Sequence, residues 1–211
     1  MKQRVVHTTK ELTQQQDPLA SNGPLDEDEQ EEIVQELELE QLRQTRLWRG
    51  CFGVGAMLMA VFFAWASWTQ WAHPWSLRMT GELRAATHGN DVVAVLGVQA
   101  VALGAVSIAL LRKLPKRGER ERMCMPYSLS QKLLLGAGIL GCAACASYWL
   151  SAHARMVQQF GSELGARWEL IWVPLGPLAY SGVSLWAASV LARSGAAVAE
   201  LRSFKYNHKK V

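Results

Sequence analysis

The residues of this chain best suited to chemistry are two thiols, Cys142-Ala143-Ala144-Cys145, at the C-x-x-C spacing of thiol redox motifs. A reactive thiol must first ionise, and a neighbouring cation or helix N-terminus is what lowers its pKa. Cys142 and Cys145 are flanked by glycine and alanine with no basic residue beside them, so inert packing cysteines are expected over a redox pair. Cys51 and Cys124 are expected close to the cytoplasmic membrane surface beside basic residues, the setting of reversible palmitoylation. His73 and His153 could together bind a metal or sense pH, since imidazole titrates near neutrality. Only Glu82 and Glu163 accompany them, so polar residues ending a helix explain the pair more simply. No catalytic constellation, metal site or cofactor is expected, and no Asn-x-Ser/Thr acceptor for a glycan occurs.

These residues sit on, or next to, four long stretches that lack any charged side chain: 50–77, 92–111, 133–154 and 170–192. A helix rises about 1.5 Å per residue, so roughly 20 apolar residues cross a hydrocarbon core of about 30 Å. Spans are expected at about 51–72, 92–111, 133–153 and 172–192, which makes the fold an all-α, four-span transmembrane helical bundle. Residues 1–25 read as a disordered tail, 26–49 as an acidic amphipathic helix, 50–193 as the membrane domain and 194–211 as a basic tail. The connecting loops are too short to bury a core of their own, so any chemistry belongs to the bundle.

Loop charge gives a direction. Lysines and arginines beside spans stay on the cytoplasmic side. Fifteen flank the ends that share a side with both termini, against four on the other side, namely Arg78, Arg84, Arg155 and Arg167. Both termini and the loop around 112–132 are therefore expected in the cytoplasm, or in the matrix of a mitochondrion. The net charge of +4 divides into −5 over residues 1–50 and +9 beyond them. Its positive part lies beside the spans, where orientation accounts for it without a nucleic-acid partner. No short apolar region precedes residue 50, so no cleavable signal sequence is expected. Lys2, Arg4 and Lys10 faintly resemble a mitochondrial presequence, which nine acids between 26 and 40 oppose. An endomembrane or plasma membrane is favoured over the mitochondrial inner membrane.

Tryptophans mark the opposite side. Trp65, Trp68 and Trp71 share one face of the first span, and Trp149, Trp168 and Trp172 fall at the same end, as interfacial anchors do. The stripe could instead line a pocket for a lipid or sterol headgroup. The first and third spans close on a similar pattern, Ala66-Ser67-Trp68 with Ala72-His73 and Ala146-Ser147-Tyr148 with Ala152-His153. Two parallel pseudo-repeated hairpins are one reading of it and coincidence in Ala/Trp-rich helices the other.

Helices in lipid associate at small residues and through a few polar contacts. In the third span Ala137, Gly141 and Cys145 make one small-residue stripe and Gly138, Cys142 and Ala146 another, which places that helix at the centre. The second span offers Gly104 and also Gln99, whose amide is expected to bond to a neighbouring helix. Pro174 and Pro177 are expected in or beside the first turn of the fourth helix, where backbone N–H groups lack intrahelical partners anyway.

Function follows by elimination. The spans carry no Asp, Glu, Lys or Arg, the groups an ion-coupled transporter uses to bind its coupling ion. The leading reading is a non-enzymatic multi-pass protein that acts by association, as an accessory subunit, scaffold or assembly factor. Its partners are membrane lipids and a protein or second copy, engaged through the bundle or the acidic helix, on which Ile33, Val34, Leu37, Leu47 and Trp48 form an apolar arc. A passive channel or lipid-handling protein and a thiol oxidoreductase are the alternatives.

Overall fold

The structure is a computed structural model, and it describes residues 27–112, 127–160 and 172–208. The described residues form helices and turns without a strand: α1 (Glu27–Ala72), α2 (Arg78–Gly81), α3 (Gly89–Leu111), α4 (Leu129–Phe160) and α5 (Trp172–His208). Four of these, α1, α3, α4 and α5, are long and apolar enough to cross a membrane. Helices are the element such stretches must adopt, because lipid offers no partner for an open backbone N–H or C=O. The four pack in chain order around a square. α5 closes back on α1, and α3 and α5 also touch across the diagonal. Glu27 and His208, the outer ends of α1 and α5, lie at one end of the bundle, here the terminal end; loop 73–88 lies at the far end.

Two expected boundaries are absent. The acidic helix and the first span are one unbroken helix of 46 residues, and the expected basic tail is mostly the continuation of α5 to His208. The physical reason is local. Residues 27–49 contain neither Gly nor Pro and are rich in Glu, Gln, Leu and Arg, all good helix formers, so nothing stops the helix where the charges begin. Its other end is set by Pro74, which disfavours helical geometry at the preceding residue, and α1 stops at Ala72. The chain then turns through Trp75, whose φ of 67° is unusual for a bulky side chain.

The centre of the bundle is α3, where a sequence reading weighted by small residues places α4. Nine of the 23 residues of α3 are buried, among them Val92, Leu96, Gln99, Leu103, Val106 and Leu110. Successive members of that set lie three or four positions apart, so they line a face that meets α1 and α4 together. Small residues do set how closely the helices approach. A Cβ on Gly138 would stand 2.8 Å from the Ala102 carbonyl oxygen of α3, and one on Gly55 would overlap the Tyr180 hydroxyl of α5. Gly104, by contrast, has no neighbour within 4 Å of an added Cβ. Ala137 is exposed, so of the two stripes on α4 the one through Gly138, Cys142 and Ala146 is fully buried, while the other is buried only at Cys145 and half-buried at Gly141. The two copies of the repeated pattern have unlike surroundings. Ser67 donates across to Val93 O of α3 at 2.9 Å, whereas Ser147 bonds within its own helix to Ala144 O.

Candidate functional site: an interior polar layer and a helical stalk

Burying an amide in an apolar bundle costs several kcal/mol unless its hydrogen bonds are made, on the order of 2–7 kcal/mol by reference state. Gln99 is fully buried at the middle of α3, and both ends of its amide are engaged. Its Nε2 donates to Val173 O of α5 at 3.1 Å, and its Oε1 accepts from Trp149 Nε1 of α4 at 3.3 Å. One side chain thereby ties three helices together.

The acceptor on α5 exists because of Pro177. In a regular helix the carbonyl of Val173 accepts from the N–H four residues later, and at residue 177 proline has none. Pro177 lies inside α5, in its second turn, with Pro174 in the first turn, because the helix begins at Trp172. The expectation that both prolines belong in or beside the first turn therefore fails for Pro177. A freed carbonyl within a membrane helix must find a donor on a neighbour, and Gln99 is that donor.

Trp149 departs from the expected ring of anchors for the same reason: its ring is 3 % exposed and its N–H points inward to Gln99. Trp65, Trp68, Trp71 and Trp172 face outward, each more than half exposed, so they line no pocket inside the bundle. Trp168 lies outside the described residues, as do Glu163 and Cys124.

Cys142 and Cys145 are free and buried one turn from this layer. The Cys145 thiol contacts Val95 O at 3.5 Å, and Cys142 lies within bonding reach of the Ser181 hydroxyl. As residues i and i+3 of one helix the two lie on the same side of α4, and both thiols are free. The hydroxyls that a pore lining would draw on are engaged as well. Ser107 donates to Gly53 O, Ser181 to Leu178 O and Ser184 to Tyr180 O, at 2.8, 3.0 and 2.8 Å. Each of these three hydroxyls is thus bonded to a backbone carbonyl.

The terminal end carries a second arrangement. The last carbonyls of a helix lack intrahelical donors, and those of α3 are taken by side chains from both neighbours. Arg49 of α1 donates to Leu110 O at 3.1 Å and Arg112 O at 2.9 Å, and Gln131 of α4 donates to Ala109 O at 3.2 Å and Arg112 O at 2.7 Å. A cation there also complements the negative end of the helix dipole. The guanidinium stacks 5.0 Å from the ring centre of Tyr127, whose phenol is pushed above its ordinary pKa by burial against the opposing pull of Arg49. This collar was missed in the sequence, where Arg49 counted only toward orientation.

Beyond the collar α1 and α5 continue side by side. Gln41 donates to Leu191 O at 3.2 Å and Ser194 Oγ at 2.7 Å. Along α1 Val34, Glu38, Gln41 and Thr45, at helical spacings of four, three and four, are among the buried or half-buried positions, with Ile33, Gln35 and Leu42 beside them. The expected apolar arc divides: Ile33 and Val34 are half-buried, whereas Leu37, Leu47 and Trp48 are exposed, and so is Leu39. Cys51 is exposed at the base of this stalk.

At the far end His73 is exposed and His153 half-buried. Among the described residues Gln70 Nε2, Tyr148 Oη and His153 Nδ1 here, and Tyr127 Oη at the collar, are buried without a hydrogen-bond partner, while Gln70 Oε1 accepts from Thr80 Oγ1 at 2.7 Å and from Trp75 N at 3.3 Å. No group of three or more potential metal ligands occurs among the described residues. Compared with known proteins, the chain matches no family model, and no curated protein or solved structure is similar to it.

Proposed function

We propose that this chain is an integral, multi-pass membrane protein without enzymatic activity that works by association, with its terminal end in the cytoplasm and its stalk as the contact surface. The observation that carries the reading is the stalk. From Glu27 to Arg49 α1 extends about 34 Å beyond the apolar span at 1.5 Å per residue, and it displays Leu37 and Leu39 among exposed acids. Apolar residues exposed in lipid are ordinary, whereas Leu37 and Leu39 stand outside the apolar span and are covered by neither the bundle nor lipid, which supports a protein contact there. An anionic inner leaflet repels such a segment, which holds the stalk away from the membrane surface. Leu37 and Leu39 fall on different sides of the helix, so a partner must wrap the stalk and not merely lie along it. Endomembrane or plasma membrane is the compartment proposed, with Cys51 as a palmitoylation site at the stalk base.

The test is purification of the tagged full-length chain in mild detergent, beside a Leu37→Glu, Leu39→Glu variant that keeps helix propensity. The expected result is a stoichiometric partner protein, or a second copy, with the native chain and its loss from the variant. A native chain recovered alone and monomeric would count against association, and a partner retained by the variant would move the contact away from the stalk.

A further inference from the structure

We infer that the outer end of α5, from Trp172 to Gly176, is a hinged segment whose closed position is held by Gln99 as a latch. Three observations combine. Pro177 removes the backbone bond that would tie Val173 to the next turn, and the proline ring crowds the same carbonyl, so the helix is weakest between these residues. Pro177 itself is fully buried, which fixes the pivot inside the bundle and leaves the motion to the residues before it. The missing bond is replaced by a tertiary one, Gln99 Nε2 to Val173 O, and the indole N–H of Trp149 holds Gln99 in that orientation.

A bond within a helix survives any rigid movement of the helix. A bond from a neighbouring helix does not, so the outer segment of α5 closes on α3 or swings free as the Gln99 bond forms or breaks. Val173 and Leu178 pack on the core cluster containing Leu96, Cys142 and Trp149. Release of the segment uncovers that layer from the far end of the bundle, and the stalk half of α5, beyond the pivot, stays in place. The device gives the protein two states at its far end whatever binds its terminal end.

The test uses the full chain in nanodiscs, labelled with 5-fluorotryptophan. Trp172 rides on the moving segment and is 63 % exposed, so its fluorine reports the motion, and a Trp172→Phe variant assigns the signal. Relaxation dispersion gives the population of the released state. Interhelical hydrogen bonds in membranes average about 0.6 and reach about 1.7 kcal/mol, so Gln99→Met should raise that population roughly threefold to twentyfold. In a Pro177→Ala background the helix regains its own bond to Val173 O, and Gln99→Met should then change the population by less than about twofold. Equal effects of Gln99→Met in the two backgrounds, or no effect in either, would overturn the latch. Trp149→Phe keeps most of the ring's packing and drops the N–H; it should act in the same direction as Gln99→Met, more weakly, and only while Pro177 is present. A change caused by disturbed packing instead would persist in the Pro177→Ala chain.

Discussion

Two glycines on α4, two positions apart, offer the sharpest test of how the bundle is packed. Gly136 has nothing within 4 Å of an added Cβ, whereas at Gly138 that atom would lie 2.5 Å from Val106 Cγ2 and 2.8 Å from Ala102 O. The valine methyl can rotate away, but the carbonyl belongs to the α3 backbone and cannot. Non-bonded carbon and oxygen atoms rest at roughly 3.3 Å, so α3 and α4 must separate by about half an ångström to admit the methyl. Overpacking of this kind costs about 1–3 kcal/mol. Both substitutions are Gly→Ala on one helix and gain the same helix propensity, up to about 1 kcal/mol. The difference between them therefore isolates the steric term. Reversible unfolding in mixed micelles, followed by far-UV circular dichroism, should place Gly136→Ala at or above the native stability and Gly138→Ala about 1–3 kcal/mol below Gly136→Ala. Equal stabilities would refute the α3–α4 contact at Ala102.

Other consequences follow at the collar, the thiols and the α1–α5 seam. Arg49→Ala removes two bonds to α3 carbonyls and the stack on Tyr127; with exposure discounted, the loss should be about 2 kcal/mol in the same unfolding assay, and Gln131→Ala should cost about 1–2 kcal/mol. In a Cys124→Ser background, maleimide should label Cys51 in intact membranes and reach Cys142 and Cys145 only after denaturation. Cys142→Ser with Cys145→Ser should leave partner recovery unchanged, and its loss would reopen a thiol-based function. Gly55→Leu should separate α1 from α5 by displacing Tyr180, and it should break the Tyr180 bond to Phe52 O, which a cross-link between Gln41→Cys and Ser194→Cys would report as weakened.

The membrane helices are legible in the sequence because lipid imposes one rule over many residues, so four charge-free runs suffice to find them. Gln99 is legible too, as an amide that lipid cannot satisfy. What surrounds it is not. Whether Trp149 is an anchor or an inward donor depends on a partner 50 residues away, and residue type serves both roles equally well. The place of Pro177 turns on the first residue of α5, since a shift of one turn separates a harmless proline from a helix-breaking one. The continuity of α1 escapes notice when the membrane surface is taken for the end of a helix. On the stalk, hydrophobicity alone does not find the inward face: polar Gln41 bonds to α5, and Leu37, Leu39 and Leu47 are exposed while Ile33, Val34 and Leu42 are half-buried. The collar depends on Arg49, Gln131 and the end of α3, three places distant in the chain that meet only when the square of helices closes.

Association through the stalk is the central element of the proposed function. Its most direct test is site-specific photo-cross-linking in cells, with benzoylphenylalanine placed in turn at Leu39 on the stalk and at Leu58 on the exposed face of the span. The expected result is a single discrete protein adduct from position 39, abolished by Leu37→Glu, and no such adduct from position 58. Uncross-linked monomer at position 39, with the chain folded and present at native levels, would contradict it.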